Sequence, residues 1–71
     1  ERIVERKALA EQIIAAVQSL PDAQREAFLL SEDGDLSLEE IAALTGVGRE
    51  TVKSRLRYAL GKLRQELSRW R

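Results

Sequence analysis

The sequence contains no cysteine, no histidine and no methionine, and it has a single proline. Without cysteine the chain can form neither disulfides nor thiolate metal ligands, and without histidine it also lacks the usual zinc ligand and general base. No apolar run is long enough to span a membrane, and no signal-peptide pattern is present. The sequence therefore predicts a cytoplasmic domain that holds no metal and no other cofactor.

The residues that are present do not suggest catalysis. We find no glycine-rich phosphate loop and no paired carboxylates placed to form an evident pocket, so we expect no enzymatic activity and no catalytic residues. A chain of 71 residues is one small domain, near the lower size limit for folding on a single core. Because the first residue is Glu1 and not Met, we expect residues 1–71 to be one domain of a longer protein.

The charges are segregated although the net charge is zero. Residues 1–48 carry four basic and ten acidic side chains, a net charge of −6, whereas residues 49–71 carry eight basic and two acidic ones, a net charge of +6. Such a domain presents one cationic surface to a polyanion. The alternative is that the basic segment is an ordinary solvated helix.

The spacing of apolar residues predicts an all-α fold, a small four-helix domain without strands. The first helix ends near Gln18, the second begins near Pro21 and ends near Ser31, and the third begins with a capping box formed by Ser37 and Glu40. Gly46 suits a left-handed C-terminal cap of the third helix, and Gly48 the N-cap of the fourth. We expect the interior to contain the following residues: Ala10, Ile13, Val17, Leu20, Ala23, Ala27, Phe28, Leu30, Leu38, Ile41, Ala42, Leu44, Val52, Leu56, Ala59, Leu60, Leu63 and Leu67.

A short capped helix, a tight turn with glycine and a longer basic helix form the layout of a helix-turn-helix, here at about residues 37–66. The N-terminal part of the outward face of the second of these helices would enter the DNA major groove. Lys53 and Arg57 can donate to guanine, Ser54 can pair with most base edges, and Glu50 can accept from cytosine. Four flanking side chains suit phosphates: Arg49, Thr51, Arg55 and Lys62.

Each of these roles has an alternative. Lys53, Arg57 and Lys62 also fit an ordinary solvated helix face. Tyr58 lies on the same outward face and fits either a DNA contact or packing of its ring against a neighbouring helix.

Two segments carry a more specific resemblance: LPDAQREAFLL at residues 20–30 and LSLEEIAALTGVGRETVKSRLRYALGKLRQEL at residues 36–67. Together they closely resemble region 4 of bacterial sigma-70-family factors of the extracytoplasmic-function type (group 4). The resemblance covers roughly residues 17–67. In three places the chain departs from the family pattern, which usually has an aliphatic residue where Thr45 stands, a Ser-like cap at Gly48, and the turn glycine one position after Gly34.

The resemblance implies a domain that reads the −35 promoter element while docked on the flap of the RNA polymerase β subunit. The base-reading positions would be Lys53, Ser54, Arg57 and Tyr58, and the domain would be a monomer when alone. The flap, and possibly an anti-sigma factor, would meet apolar surface on the earlier helices. The wide apolar stripe of the first helix, with Ile3, Val4 and Ile14, is our candidate for part of that surface.

Two other functions compete with this interpretation. The first is the output domain of a two-component or quorum-sensing regulator, which also has four helices and a TVK segment in its recognition helix. Such domains usually carry TVKxH and dimerise through the last helix, whereas this chain has TVKSR and no clean second apolar stripe there. The second is a protein-interaction module without DNA binding, which the clustering of Lys53, Arg55 and Arg57 disfavours.

Overall fold

The computed structural model of the chain describes the backbone of residues 2–68 and the side chains of residues 5–68. Over this range it contains four α-helices and no strand, as the apolar spacing predicted. The helices are α1 (Arg2–Gln18), α2 (Asp22–Glu32), α3 (Leu38–Thr45) and α4 (Arg49–Leu67). None of them is long and apolar enough to cross a membrane.

Helix α4 is the centre of the packing, because α1, α2 and α3 all contact it. One buried cluster joins α1 to the second half of α4 through Ala16, Leu20, Ala59 and Leu63, with Phe28 of α2 packed against it. Helix α3 packs on the first half of α4, and the two helices together form the helix-turn-helix. There the fully buried Ile41 of α3 and Val52 of α4 lie on helices that contact each other and α2.

The ends of α3 agree with the sequence prediction. The Glu40 amide donates to Ser37 Oγ at 3.1 Å and the Ser37 amide donates to Glu40 Oε1 at 2.8 Å, which completes the capping box. Gly46 closes the helix with φ of 71°, a left-handed conformation that costs glycine little. Gly48 is the N-cap of α4 and makes no side-chain cap hydrogen bond. The tight turn between the two motif helices therefore follows directly from its glycines.

Four residues expected in the interior are exposed instead. Leu44 on α3 and Leu60 on α4 are 67% and 46% exposed, and Ala10 and Ile13 on α1 are also exposed. Leu44 lies about 110° around α3 from the side formed by Leu38, Ile41, Ala42 and Thr45, at about 100° per residue. The prediction of the interior was wrong at these positions, because neighbouring helices cover only part of the surface over which each helix carries apolar residues.

The turn between α2 and α3 needs two unusual residues in a row. A Cβ added to Gly34 would lie 2.8 Å from the backbone oxygen of Leu30, so a side chain there would force the backbone to shift. Asp35 follows with φ of 53°, the left-handed region that non-glycine residues adopt at a cost. The family's usual turn glycine falls on this second position, where the structure shows the strained backbone.

We expect Asp35→Gly to raise the free energy of unfolding by about 0.5–1 kcal/mol. Relief of the left-handed conformation contributes about 1–2 kcal/mol, and the greater freedom of glycine in the unfolded chain offsets about 0.4–1 kcal/mol of it. Gly34→Ala should lower the same quantity because of the close Leu30 oxygen. Urea denaturation followed by circular dichroism measures both. Destabilisation by Asp35→Gly would show that the Asp35 side chain makes a compensating interaction.

Candidate nucleic-acid interface

The outward face of α4 carries the predicted base-reading residues. Glu50, Lys53, Arg57 and Tyr58 are exposed and Ser54 is partly buried. Over the nine residues from Glu50 to Tyr58 the helix rises about 12 Å, a length that fits within one stretch of major groove. Tyr58 is 63% exposed, so its ring is available to a ligand and is not packed against a neighbouring helix.

The cations of this face are not paired with any carboxylate among the described side chains. Among the described side chains, the ion pairs involve only Arg25 and Arg49 as cations. Lys53, Arg57 and Lys62 are exposed and keep all their donors for a partner. Thr51 is also exposed, on the flank where a phosphate contact was predicted. The structure thus brings these positions onto one accessible surface.

Arg49 differs from the other predicted phosphate ligands because it has a partner within the motif. Its Nε donates to Glu39 Oε2 at 2.7 Å across the turn, and its Nη1 lies 3.6 Å from Glu50 Oε2. A backbone hydrogen bond and the Arg49 side chain hold the pKa of Glu39 below its usual value. Glu39 therefore remains ionised at neutral pH, and a phosphate that binds Arg49 must share it with this carboxylate.

Arg55 lies on the side of α4 that faces α2. Its side chain is partly buried and lines a surface cleft together with Asp22 and Glu26 of α2 and Thr45 of α3. The Thr45 hydroxyl donates to the Ile41 carbonyl at 2.7 Å, which accounts for a polar residue where the family usually has an aliphatic one. The Asp22 and Glu26 carboxylates in the cleft favour the Arg55 guanidinium there. Because its side chain is partly buried whereas Arg49, Thr51 and Lys62 are exposed, Arg55 is the least accessible of the predicted phosphate ligands.

The N-terminus of α4 is better suited to phosphate than that of α3. The first turn of α3 holds Glu39 and Glu40, and its capping box already binds the Glu40 amide. The first turn of α4 has no side-chain cap, so its amides are open to an anion that also gains from the helix dipole.

A second surface, which we call the apolar groove, runs between α1, α2 and the second half of α4. Ile13 and Phe28 line both halves of it. Ile14, predicted as a partner contact, lies in it and is 56% exposed. The side chains of Ile3 and Val4, predicted with it, lie outside the described residues. The remaining apolar lining comes from Val17 of α1, Leu29 of α2, and Leu60, Leu63 and Leu67 of α4.

Comparison with known proteins now decides between the candidate families. The family model described as "Sigma-70, region 4" matches residues 10–63, which include most of α1, all of α2 and α3, and α4 as far as Leu63. The chain belongs to the sigma-70 region 4 family. This is a family of transcription factors, and the regulator output domain considered above is not favoured.

The extracytoplasmic-function character of this region 4 domain is confirmed by a curated relative. The ECF RNA polymerase sigma factor RpoE of Cereibacter sphaeroides is 47% identical to the chain over 53 residues, or 75% of the chain. The chain spans only 29% of the length of that relative. The region 4 domain described here thus corresponds to less than a third of that protein.

Proposed function

We propose that this domain binds the −35 element of promoter DNA with the outward face of α4, as the C-terminal domain of a sigma factor that directs transcription initiation. The observation that carries the proposal is the exposed set Lys53, Arg57 and Lys62 around the exposed ring of Tyr58, none of them in an ion pair with another described side chain, in a chain of the region 4 family. Lys53, Ser54, Arg57, Tyr58 and Glu50 would contact base edges. Arg49, Thr51, Arg55 and Lys62 would contact phosphates.

The apolar groove supports the second half of the proposal, docking on the flap of the RNA polymerase β subunit. It is lined mainly by apolar side chains of three helices, and it lies beside a helix whose other face carries the DNA-binding residues. An amphipathic helix placed in such a groove is a common mode of recognition. Ile14 with Ile13 and Phe28 would contact the flap, and an anti-sigma factor would compete for the same surface.

The proposal also includes expectations about the location, oligomeric state, cofactors and activity of the domain. A sigma factor domain acts on chromosomal DNA, so we place this one in the bacterial cytoplasm, with no membrane contact. We also expect a monomer when the domain is alone, no cofactor, and no enzymatic activity.

Selection from random duplex DNA tests the proposal. The 71-residue chain is fused to the flap helix of the β subunit, so that its docking partner is present, and the bound duplexes are sequenced. We expect enrichment of a single short asymmetric site that is purine-rich, as a −35 element would be. Enrichment of paired, palindromic half-sites would favour a dimeric regulator, and absence of enrichment would leave only a protein-interaction module.

Binding to the selected site should depend strongly on salt. Neutralisation of about four phosphates by the Arg and Lys side chains of α4 predicts that the logarithm of the association constant falls with the logarithm of salt concentration at a slope near −3.6. Fluorescence anisotropy with labelled duplex between about 50 and 200 mM salt spans the range in which this dependence is steep. Binding that does not change over this range would contradict the phosphate contacts.

A further inference from the structure

Arg25 connects the start of α2 to the end of α1. Its Nη1 donates to the carbonyl oxygens of Gln18 and Leu20, at 3.0 Å each, and its Nη2 donates to Asp22 Oδ1 at 2.6 Å. Gln18 is the last residue of α1, where carbonyl groups lack partners within the helix. A guanidinium suits this position because it is cationic at the negative end of the helix dipole and offers several donors in a fixed plane. Only 32% of the Arg25 side chain is exposed.

Among the described residues few direct contacts join α1 to α2, and both helices are held mainly by their packing on α4. Helix α1 packs on α4 through Ala16 and Leu20, near its C-terminal end, and makes no extensive contact with α2. Further towards its N-terminus, Leu9 and Ile13 are 39% and 41% exposed although they lie on the same side of the helix as Ala16. The two helices therefore diverge from the short turn at 19–21, and the apolar groove opens between them.

Arg25 is also part of the wall of this groove. It lines the half of the groove that contains Ile14, Val17 and Phe28. A small rotation of α1 about the turn at 19–21 would move Ile13 and Ile14 relative to Phe28, and so would change the shape of the groove. The bond from Nη1 to the Gln18 carbonyl joins α2 to the end of α1 and opposes that rotation, and the bond to the Leu20 carbonyl fixes the turn between the two helices. The bond to Asp22 lies within α2 and holds the guanidinium in place for the other two.

We infer that Arg25 is a positioning residue, which fixes the angle between α1 and α2 and thereby preforms the apolar groove for a helical partner. The inference rests on the proposed function in one respect, that the partner is the flap helix. A groove that is already formed binds its ligand more tightly, because no conformational entropy has to be removed on binding. Arg25 would act on the partner through Ile13, Ile14 and Phe28, without needing to touch it.

The angle between the helices can be measured directly. The chain has no cysteine, so a spin label attaches only to the cysteines that are introduced. We place them at two exposed positions, as Glu11→Cys on α1 and Glu26→Cys on α2. Pulsed dipolar spectroscopy should show one narrow distance distribution, and Arg25→Ala should broaden it. Arg25→Lys, which retains the charge with a single ammonium, should give intermediate broadening and serves if Arg25→Ala does not fold. Ser19→Ala is the matched control, because its hydroxyl donates to Ala16 within α1 and does not reach α2.

The effect on docking is measured with a labelled flap-helix peptide and the unlabelled chain. Arg25→Ala should weaken peptide binding by about tenfold, a change of about 1.4 kcal/mol, while the selected DNA site and its base preference stay the same. A purely structural role predicts that any equally destabilised variant shows the same loss. Ser37→Ala, which removes the capping box at the start of α3, provides that comparison and should leave peptide binding unchanged.

The two proposals can fail separately. An unchanged distance distribution in Arg25→Ala would overturn the role of Arg25. A broadened distribution with unchanged peptide affinity would overturn the link between the helix angle and docking. If the unsubstituted chain did not bind the flap peptide at all, docking on the flap would be wrong, and the distance measurement would still decide whether Arg25 fixes the two helices.

Discussion

Lys53→Ala and Arg57→Ala are each expected to reduce discrimination between the preferred DNA site and single-base variants by about 1–3 kcal/mol. Both side chains are exposed on the outward face of α4, one turn apart, and neither is held by a carboxylate among the described residues. Each can therefore form a bidentate or paired contact with guanine without first breaking an internal bond. Affinities for a panel of singly substituted duplexes, measured at one fixed salt concentration, give the discrimination at each base position.

Two control variants separate base reading from general electrostatic attraction. Lys62→Ala removes an exposed cation of α4 that is assigned to phosphate, so it should weaken binding equally on all duplexes and reduce the salt slope by about 0.9. Lys7→Ala removes the same charge from α1 and should change little. If Lys53→Ala or Arg57→Ala weakened binding equally on every duplex, that residue would be reassigned to a phosphate contact. If neither had any effect on DNA binding, the protein-interaction module would be favoured.

Ile41→Ala is expected to lower the free energy of unfolding by about 2–5 kcal/mol. The Ile41 side chain is completely buried on α3, and its truncation removes three carbons from the contacts that join α3 to the rest of the domain. For a chain of this length the total stability is about 4–10 kcal/mol, so one substitution removes a large part of it. Urea denaturation of the 71-residue chain gives the difference in free energy.

Leu44→Ala is the matched control for this substitution, because it removes the same number of carbons from the same helix. Since Leu44 is 67% exposed, its truncation should change stability by no more than about 0.5 kcal/mol. Similar losses for Ile41→Ala and Leu44→Ala would mean that Leu44 is packed, as the spacing of apolar residues alone predicted.

The caps account for most of what the sequence could predict about the fold. Ser37 with Glu40, Gly46 and Gly48 act through local backbone chemistry, so their effect can be recognised without knowledge of distant residues. The end of α1 at Gln18 also agrees with the prediction. Pro21 lies one residue before the first helical residue of α2, which is within the usual uncertainty of a helix boundary.

How much of the surface of a helix is buried could not be predicted in the same way. Leu60 lies about 60–100° around α4 from Val52, Ala59 and Leu63, at about 100° per residue, and thus belongs to the same apolar stripe. Whether it is covered depends on how far α1 extends over it, and α1 approaches α4 through the small side chain of Ala16. Leu60 therefore lines the apolar groove, and its sequence position alone does not distinguish this role from burial.

The candidate site likewise contains residues whose placement could be predicted from the sequence and others whose placement could not. The outward placement of Lys53, Arg57 and Tyr58 follows from helix geometry once the buried side of α4 is known. The ion pair between Glu39 and Arg49 joins residues ten positions apart across a turn, and no local pattern indicates it. The three bonds of Arg25 depend on the path of the chain between α1 and α2, so the sequence identified Arg25 only as part of a family motif.

Helix α4 carries the proposed DNA-binding residues on one side and a wall of the apolar groove on another, in one uninterrupted run from Arg49 to Leu67. Insertion of a single residue after Tyr58 would turn every later position by about 100° and move it by about 1.5 Å. Leu63 would leave the core, and the groove would no longer face the same way relative to the DNA. Changes in length are therefore not accommodated within α4, and the distance and angle between its proposed DNA-binding face and the apolar groove are set by this one helix.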